Sequence, residues 1–161
     1  LTGNSGEMST MKRSIHIEAP VEKVFDIVKD PRYVPEGMTM HFDVTDVKLT
    51  DEGVGTYYRW VTKTPVLRIE GFDVYTEFVP NRRITDKSSS SMVGDISISF
   101  EPEGSGTKLT MEGRPRSFWQ FPPLRQLTDL FKGMTADRYL PAVKAEIEAP
   151  RPVRSASRPA S

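Results

Sequence analysis

The sequence contains no cysteine. That absence excludes disulfides, thiol nucleophiles, iron–sulfur clusters and thiolate zinc sites together. Histidine is nearly as scarce, with only His16 and His41 among 161 residues, so no metal site is expected. Charge of one sign is missing too. Twenty-two basic residues balance twenty-two acidic ones, and no nucleic-acid partner is expected from such a balance. No apolar run approaches the roughly 18 residues of a spanning helix, so stable membrane insertion is not expected. Residues 1–10 lack the basic start and apolar stretch of a secretion signal, which makes the cytoplasm the expected location. No glycine-rich phosphate loop and no Ser–His–Asp signature is present, and no cofactor is expected.

What remains is an ordinary folded composition, 37% hydrophobic and 27% charged, of a size for one domain. Residues 1–11 are polar and without periodicity and read as a disordered leader. Residues 150–161 carry three Pro, three Arg and three Ser and read as a flexible basic tail. The folded body is expected over 12–149.

Periodicity orders the elements. Ile15 and Ile17 alternate with polar neighbours in a short strand. Pro20 opens a helix in which Val21, Val24, Phe25 and Val28 share a face, and Asp30-Pro31 stops it. A second short helical turn is expected around Tyr33 and Val34. Met38, Met40, Phe42 and Val44 then alternate as a strand. Further strands are expected over 55–63, 67–79, 82–88, 95–100 and 107–114, separated by Asp51-Glu52-Gly53, Thr64-Pro65, Pro80-Asn81 and the hairpin turn Glu103-Gly104-Ser105-Gly106. About six strands in hairpin succession argue for an antiparallel meander. After residue 121 the period changes to 3.6. Leu124, Leu127, Leu130, Phe131 and Met134 form one apolar face that Leu140, Val143 and Ile147 extend. Pro141 lacks the N–H that would bond back to Asp137, and a kink or break is expected there. One long helix covering a curved sheet can enclose a pocket; a fully packed core is the alternative.

The opening Ser14-Ile15-His16-Ile17-Glu18-Ala19-Pro20-Val21-Glu22-Lys23-Val24-Phe25, closed by Asp30-Pro31, resembles the START / polyketide cyclase-like (SRPBCC) superfamily. So do Gly53-x-Gly55-Thr56, Glu77 to Ile84 and Phe100 to Met111. The resemblance covers about residues 12–149, and the nearest subgroup is the bacterial polyketide cyclase/dehydrase and lipid transport set. It implies an α+β helix-grip fold: a curved antiparallel sheet of six to seven strands around a long C-terminal helix, with two short helices after the first strand. It also implies a hydrophobic tunnel. Members bind or transfer lipids, cyclise or dehydrate polyketides, or regulate partners.

Candidate site residues follow from strand phase. Tyr58 and Trp60 are expected on the inner face, where the phenol and the indole N–H could meet a polar ligand group; the opposite phase, Tyr57 with Val61, stays open because bulges shift register. In the next strand Arg68 and Glu70 share a phase with Phe72 and Val74. If it faces inward, both charges must pair or meet a ligand, which makes Glu70 the foremost carboxylate candidate. Ile98 and Met111 are expected to line the pocket from later strands. Trp119 would do so from the strand-to-helix connection. Leu127, Phe131 and Met134 would line it from the helix, where Tyr139 could also project inward. His16 and the His41–Asp43 pair lie on polar phases and read as solvated. Three functions remain open: carriage of a small hydrophobic molecule, a cyclase or dehydratase drawing on Glu70, Arg68, Tyr58 or Tyr139, or a regulatory domain with a collapsed core. The chain is expected to be a monomer or a homodimer.

Overall fold

The computed structural model describes residues 11–36, 41–63, 68–90, 94–114 and 124–149; the side chains of 41–42 and 124–135 lie outside the description. In chain order the elements are β1 (Met11–Ile17), α1 (Val21–Val28), β2 (His41–Lys48), β3 (Tyr57–Lys63), β4 (Arg68–Val79), β5 (Arg83–Ser88), β6 (Asp95–Glu103), β7 (Gly106–Arg114) and α2 (Leu124–Glu148). The strands make one curved, antiparallel sheet in the order β1-β7-β6-β5-β4-β3-β2. The meander from β2 to β7 is local hairpin pairing. Only β1 is non-local, joining β7 in an unbroken register from Met11 opposite Gly113 to Ile17 opposite Thr107.

Cross-strand neighbours share a face, so the register identifies the inner one. Ile15 lies opposite Leu109, Leu109 opposite Phe100, and Met111 opposite Ile98. Ile98 then lies opposite Ile84, Tyr75 opposite Asp86, and Tyr58 opposite Asp73. Ile17, Leu109, Phe100, Ile84, Tyr75 and Trp60 are all buried on this face. The other face is polar: Ser14 and Thr110 share a hydrogen bond of 2.9 Å, and Thr85 and Ser97 one of 3.0 Å.

α1 follows Pro20, whose extended backbone (φ −62°, ψ 150°) supplies the carbonyl that Val24 N–H bonds. Its buried side chains are Val24, Phe25 and Val28. Phe25 meets Phe100 and Phe78 edge to face, at centroid separations of 5.2 and 5.4 Å, a favoured aromatic geometry. The corner between β1 and α1 is held by buried Thr107, whose hydroxyl donates to the Ala19 carbonyl at 2.7 Å. α2 packs on β1 and β7, with Ala136, Leu140, Val143 and Ile147 buried at its C-terminal half.

Several expectations are corrected. The segment after α1 is turn rather than a second helix around Tyr33 and Val34; Asp30 instead accepts from the Arg32 backbone and side chain, a local turn that competes with helix. α2 runs through Pro141 as one helix. Pro141 is exposed, so the missing hydrogen bond falls on the wet side, where water can serve the Asp137 carbonyl. Met11, assigned to the leader, begins β1. The leader over 1–10, the tail over 150–161 and the connection bearing Trp119 lie outside the described residues.

Candidate functional site

Among the described residues, the buried carboxylates of the inner face gather at one place, where β3, β4 and β5 run side by side. Tyr58 and Trp60 point inward from β3, as expected. The reversal lies in β4. Ile69, Gly71, Asp73 and Tyr75 face inward, while Arg68, Glu70, Phe72 and Val74 face out. Phe72 is 42% exposed and lies against the ring of Tyr57 at 5.6 Å on the outer face. Arg68 and Glu70 form an exposed pair with each other at 3.1 Å, the kind of surface bridge that contributes little. The physical reason is the β3–β4 register: Asp73 sits opposite Tyr58 and Gly71 opposite Trp60, so burying the two rings buries that phase of β4.

Among the described residues the buried carboxylates here are Asp73, 4% exposed, and Asp86 on β5, 9% exposed, and Asp95 on β6 has one buried oxygen, Oδ1. Asp73 and Asp86 both lie 3.1 Å from one atom, the Oη of Tyr58. Asp73 also accepts from the Trp60 indole N–H at 2.9 Å and from the Ser88 hydroxyl. Asp86 accepts from the Ile96 backbone N–H at 3.3 Å. Gly71 makes room for this arrangement: a Cβ there would lie 2.9 Å from the Trp60 ring and 3.1 Å from the Ser89 hydroxyl. Burial raises the pKa of both carboxyls, and for Asp86 the Asp73 charge adds to it. Burial, then Asp86 and Asp73, raise the Tyr58 phenol well above its ordinary range, so the phenol stays protonated.

Tyr75 links this group to the surface. Its ring meets Tyr58 edge to face at 6.1 Å and stacks on Phe78 at 6.2 Å, and its hydroxyl donates to the Lys29 carbonyl at the end of α1 at 3.1 Å. Tyr75 and Phe78 also form the wall of a cleft of about 240 Å³ between the end of α1 and the β2–β3 loop. Gly53 borders it with φ +81°, and a Cβ at that position would strike the Phe78 ring. Tyr75 thus stands between the cleft and the acid pair, lining the one and packing on Tyr58 of the other.

Met111 is buried and Ile98 partly buried, both on the inner face. Tyr139 on α2 packs against the core, and burial foremost raises its phenol pKa. Leu127, Phe131 and Met134 lie on α2 but their side chains are not among those described, as for His41. Asp43 is exposed. His16 is part-exposed on the polar phase, and its two ring nitrogens meet Glu103 at 2.6 Å and Glu18 at 2.9 Å. Among the described residues no group of His, Asp and Glu is arranged to hold a metal. Asp73 and Asp86 were missed by strand phase alone, although Asp86 does share the phase of Ile84 and Ser88 in Ile84-Thr85-Asp86-Lys87-Ser88. A carboxylate in step with a core isoleucine was the available signal.

These features define a helix-grip protein with a polar group set into an apolar wall. Residues 8–149 match the family described as polyketide cyclase / dehydrase and lipid transport, and the chain belongs to it. Its fold is similar to protein Ms6760 from Mycobacterium smegmatis, 17% identical over 88% of this chain and 92% of that one, TM-score 0.68. A protein from Arthrobacter aurescens is 14% identical, with 94% of each chain covered and a TM-score of 0.68. A Polyketide_cyc-like protein from Corynebacterium glutamicum is 22% identical, over 86% of this chain and 93% of that one, TM-score 0.55. No curated protein matches the chain.

Proposed function

We propose that the chain binds or carries a small hydrophobic or amphipathic molecule, lipid-like or polyketide-like, between the inner sheet face and α2. The observation that supports this reading is one carboxylate-bearing hydrogen-bonding group, Tyr58 with Asp73 and Asp86, set in a largely apolar wall, with Tyr75 packed between it and a surface cleft. Ligand pockets combine apolar lining with a few placed polar groups in this way. The tail of the ligand would lie along Ile98 and Met111, and its head would meet the polar group. Native mass spectrometry of the purified chain, with organic extraction of what it retains, tests the reading. Retention of an apolar or amphipathic compound, lost when Tyr75 is replaced by Ala, is expected. A chain that retains nothing and takes up no long-chain alcohol, fatty acid or aromatic polyketide would refute it.

One observation favours a second reading, a cyclase or dehydratase. A buried carboxyl pair can supply both a base and an acid, because proximity separates their proton affinities. In that reading the proton chemistry belongs to Asp73, Asp86 and Tyr58, and Glu70 and Arg68 on the outer face take no part. Loss of turnover at unchanged ligand affinity in Asp73→Asn would favour the enzyme; turnover unaffected by it would favour the carrier.

A further inference from the structure

The hydroxyl of Tyr58 has one hydrogen, yet it stands at bonding distance from two carboxylates, 3.1 Å from Asp73 Oδ2 and 3.1 Å from Asp86 Oδ2. If both carboxylates were ionised, one of them would face an oxygen lone pair with no proton between them. A proton on either carboxyl removes that conflict, because the phenol oxygen then accepts from one side and donates to the other. The surroundings decide which carboxyl carries it. Asp73 accepts an indole N–H at Oδ1 and the Ser88 hydroxyl besides Tyr58, and several donors stabilise an ionised carboxylate. Asp86 has, besides Tyr58, the backbone N–H of Ile96 at Oδ1, which leaves its Oδ2 free to be a hydroxyl.

We propose that Asp86 and Asp73 hold one proton between them, with Tyr58 completing a directed relay: Asp86 O–H donates to Tyr58 Oη, and Tyr58 O–H donates to an ionised Asp73. Among the described residues, the titratable groups that face Asp86 from the neighbouring elements are Tyr58 on β3, Asp73 and Tyr75 on β4, Asp95 on β6 and Tyr139 on α2. None of them brings positive charge that would stabilise a second carboxylate. The relay thus gives the Asp73–Asp86 pair one fixed negative charge, at Asp73, and one neutral carboxylic acid, Asp86. It does not depend on any ligand.

The pH dependence follows. Asp86 keeps its proton in the folded chain above its ordinary value of 3.8. The folded chain therefore binds a proton that the unfolded chain has released. The associated stability is fully present below about 3.8 and declines as pH rises toward the folded value.

Infrared spectroscopy of the full chain in H2O and D2O tests the assignment directly. At neutral pH the wild-type protein should show a protonated-carboxyl C=O band that Asp86→Asn removes. Absence of that band in the wild type, or its survival in Asp86→Asn, would overturn the proposal. Denaturation provides the second arm. An asparagine at 86 can accept from Ile96 and donate to Tyr58, as the protonated acid does, so Asp86→Asn should unfold at the wild-type midpoint or above it near neutral pH, with a shallower pH slope. Asp73→Asn sets an amide N–H2 against either the Trp60 or the Tyr58 donor, and its midpoint should fall. Equal midpoints for the two variants, or a lower one for Asp86→Asn, would overturn it.

Discussion

At the scale of single residues, the site is built on space as much as on polarity. Gly71 carries no polar group, yet a Cβ there would lie 2.9 Å from the Trp60 ring, closer than van der Waals contact allows. Gly71→Ala is expected to push the indole away from Asp73 and to destabilise the chain by about 1–3 kcal/mol, the usual cost of overpacking. Chemical denaturation checks the magnitude, and a shift in tryptophan emission checks that the indole has moved. Trp60→Phe isolates the other half of the interaction. It keeps a ring on the inner face but removes the N–H that Asp73 Oδ1 accepts at 2.9 Å. Leaving a buried carboxylate short of a donor costs roughly 1–3 kcal/mol, and raising the pH should not restore it, since Asp73 is then ionised and needs the donor most. A neutral outcome in denaturation would mean that water or another donor replaces the indole.

At the scale of elements, the period-two and period-3.6 patterns were enough for the strands, α1 and the long helix, because alternation and helical spacing are local properties. The side of β4 that faces inward was not legible. One phase reads Arg68, Glu70, Phe72, Val74 and the other Ile69, Gly71, Asp73, Tyr75, so each mixes apolar with charged residues. Only the pairing with β3 decides between them, and register is a tertiary fact. The same holds for His16. On the polar phase of β1 it reads as solvated, but the β6–β7 hairpin brings Glu103 to one ring nitrogen while Glu18 takes the other. Two carboxylates on one imidazole favour imidazolium; the Glu103 hydrogen bond, then the Glu18 one, raises the His16 pKa above 6.5. Stability from this clamp is fully present below about pH 6.5 and is lost as pH rises through the folded value. His16→Gln should flatten the pH dependence of the thermal midpoint in that window relative to wild type. Because Asp86 acts in the same direction, the difference between the two proteins, rather than either slope alone, is the measurement. The α1 contact is tested by Phe25→Ala, which removes the ring held by Phe78 and Phe100 and should cost about 3–5 kcal/mol by denaturation.

At the scale of the whole molecule, a net charge of zero hides an interior that is not neutral. With one proton shared between them, Asp73 and Asp86 leave a single negative charge on an apolar wall, where screening by salt is weak. In the carrier reading proposed above, that charge selects among ligands of equal apolar length. A hydroxyl or carbonyl head can exchange hydrogen bonds with the polar group at little electrostatic cost. A carboxylate head would place like charge beside Asp73 in a poorly solvated site, where it must either take up a proton or stay out. A long-chain alcohol should therefore bind at least about tenfold tighter at neutral pH than the fatty acid of the same length, a difference of about 1.4 kcal/mol. The gap should close as pH falls and the fatty acid becomes neutral. Calorimetric titration of both ligands at two pH values measures it. Equal affinities at neutral pH, or a preference for the acid, would show that the ligand head lies away from Asp73 or that a basic side chain meets it instead.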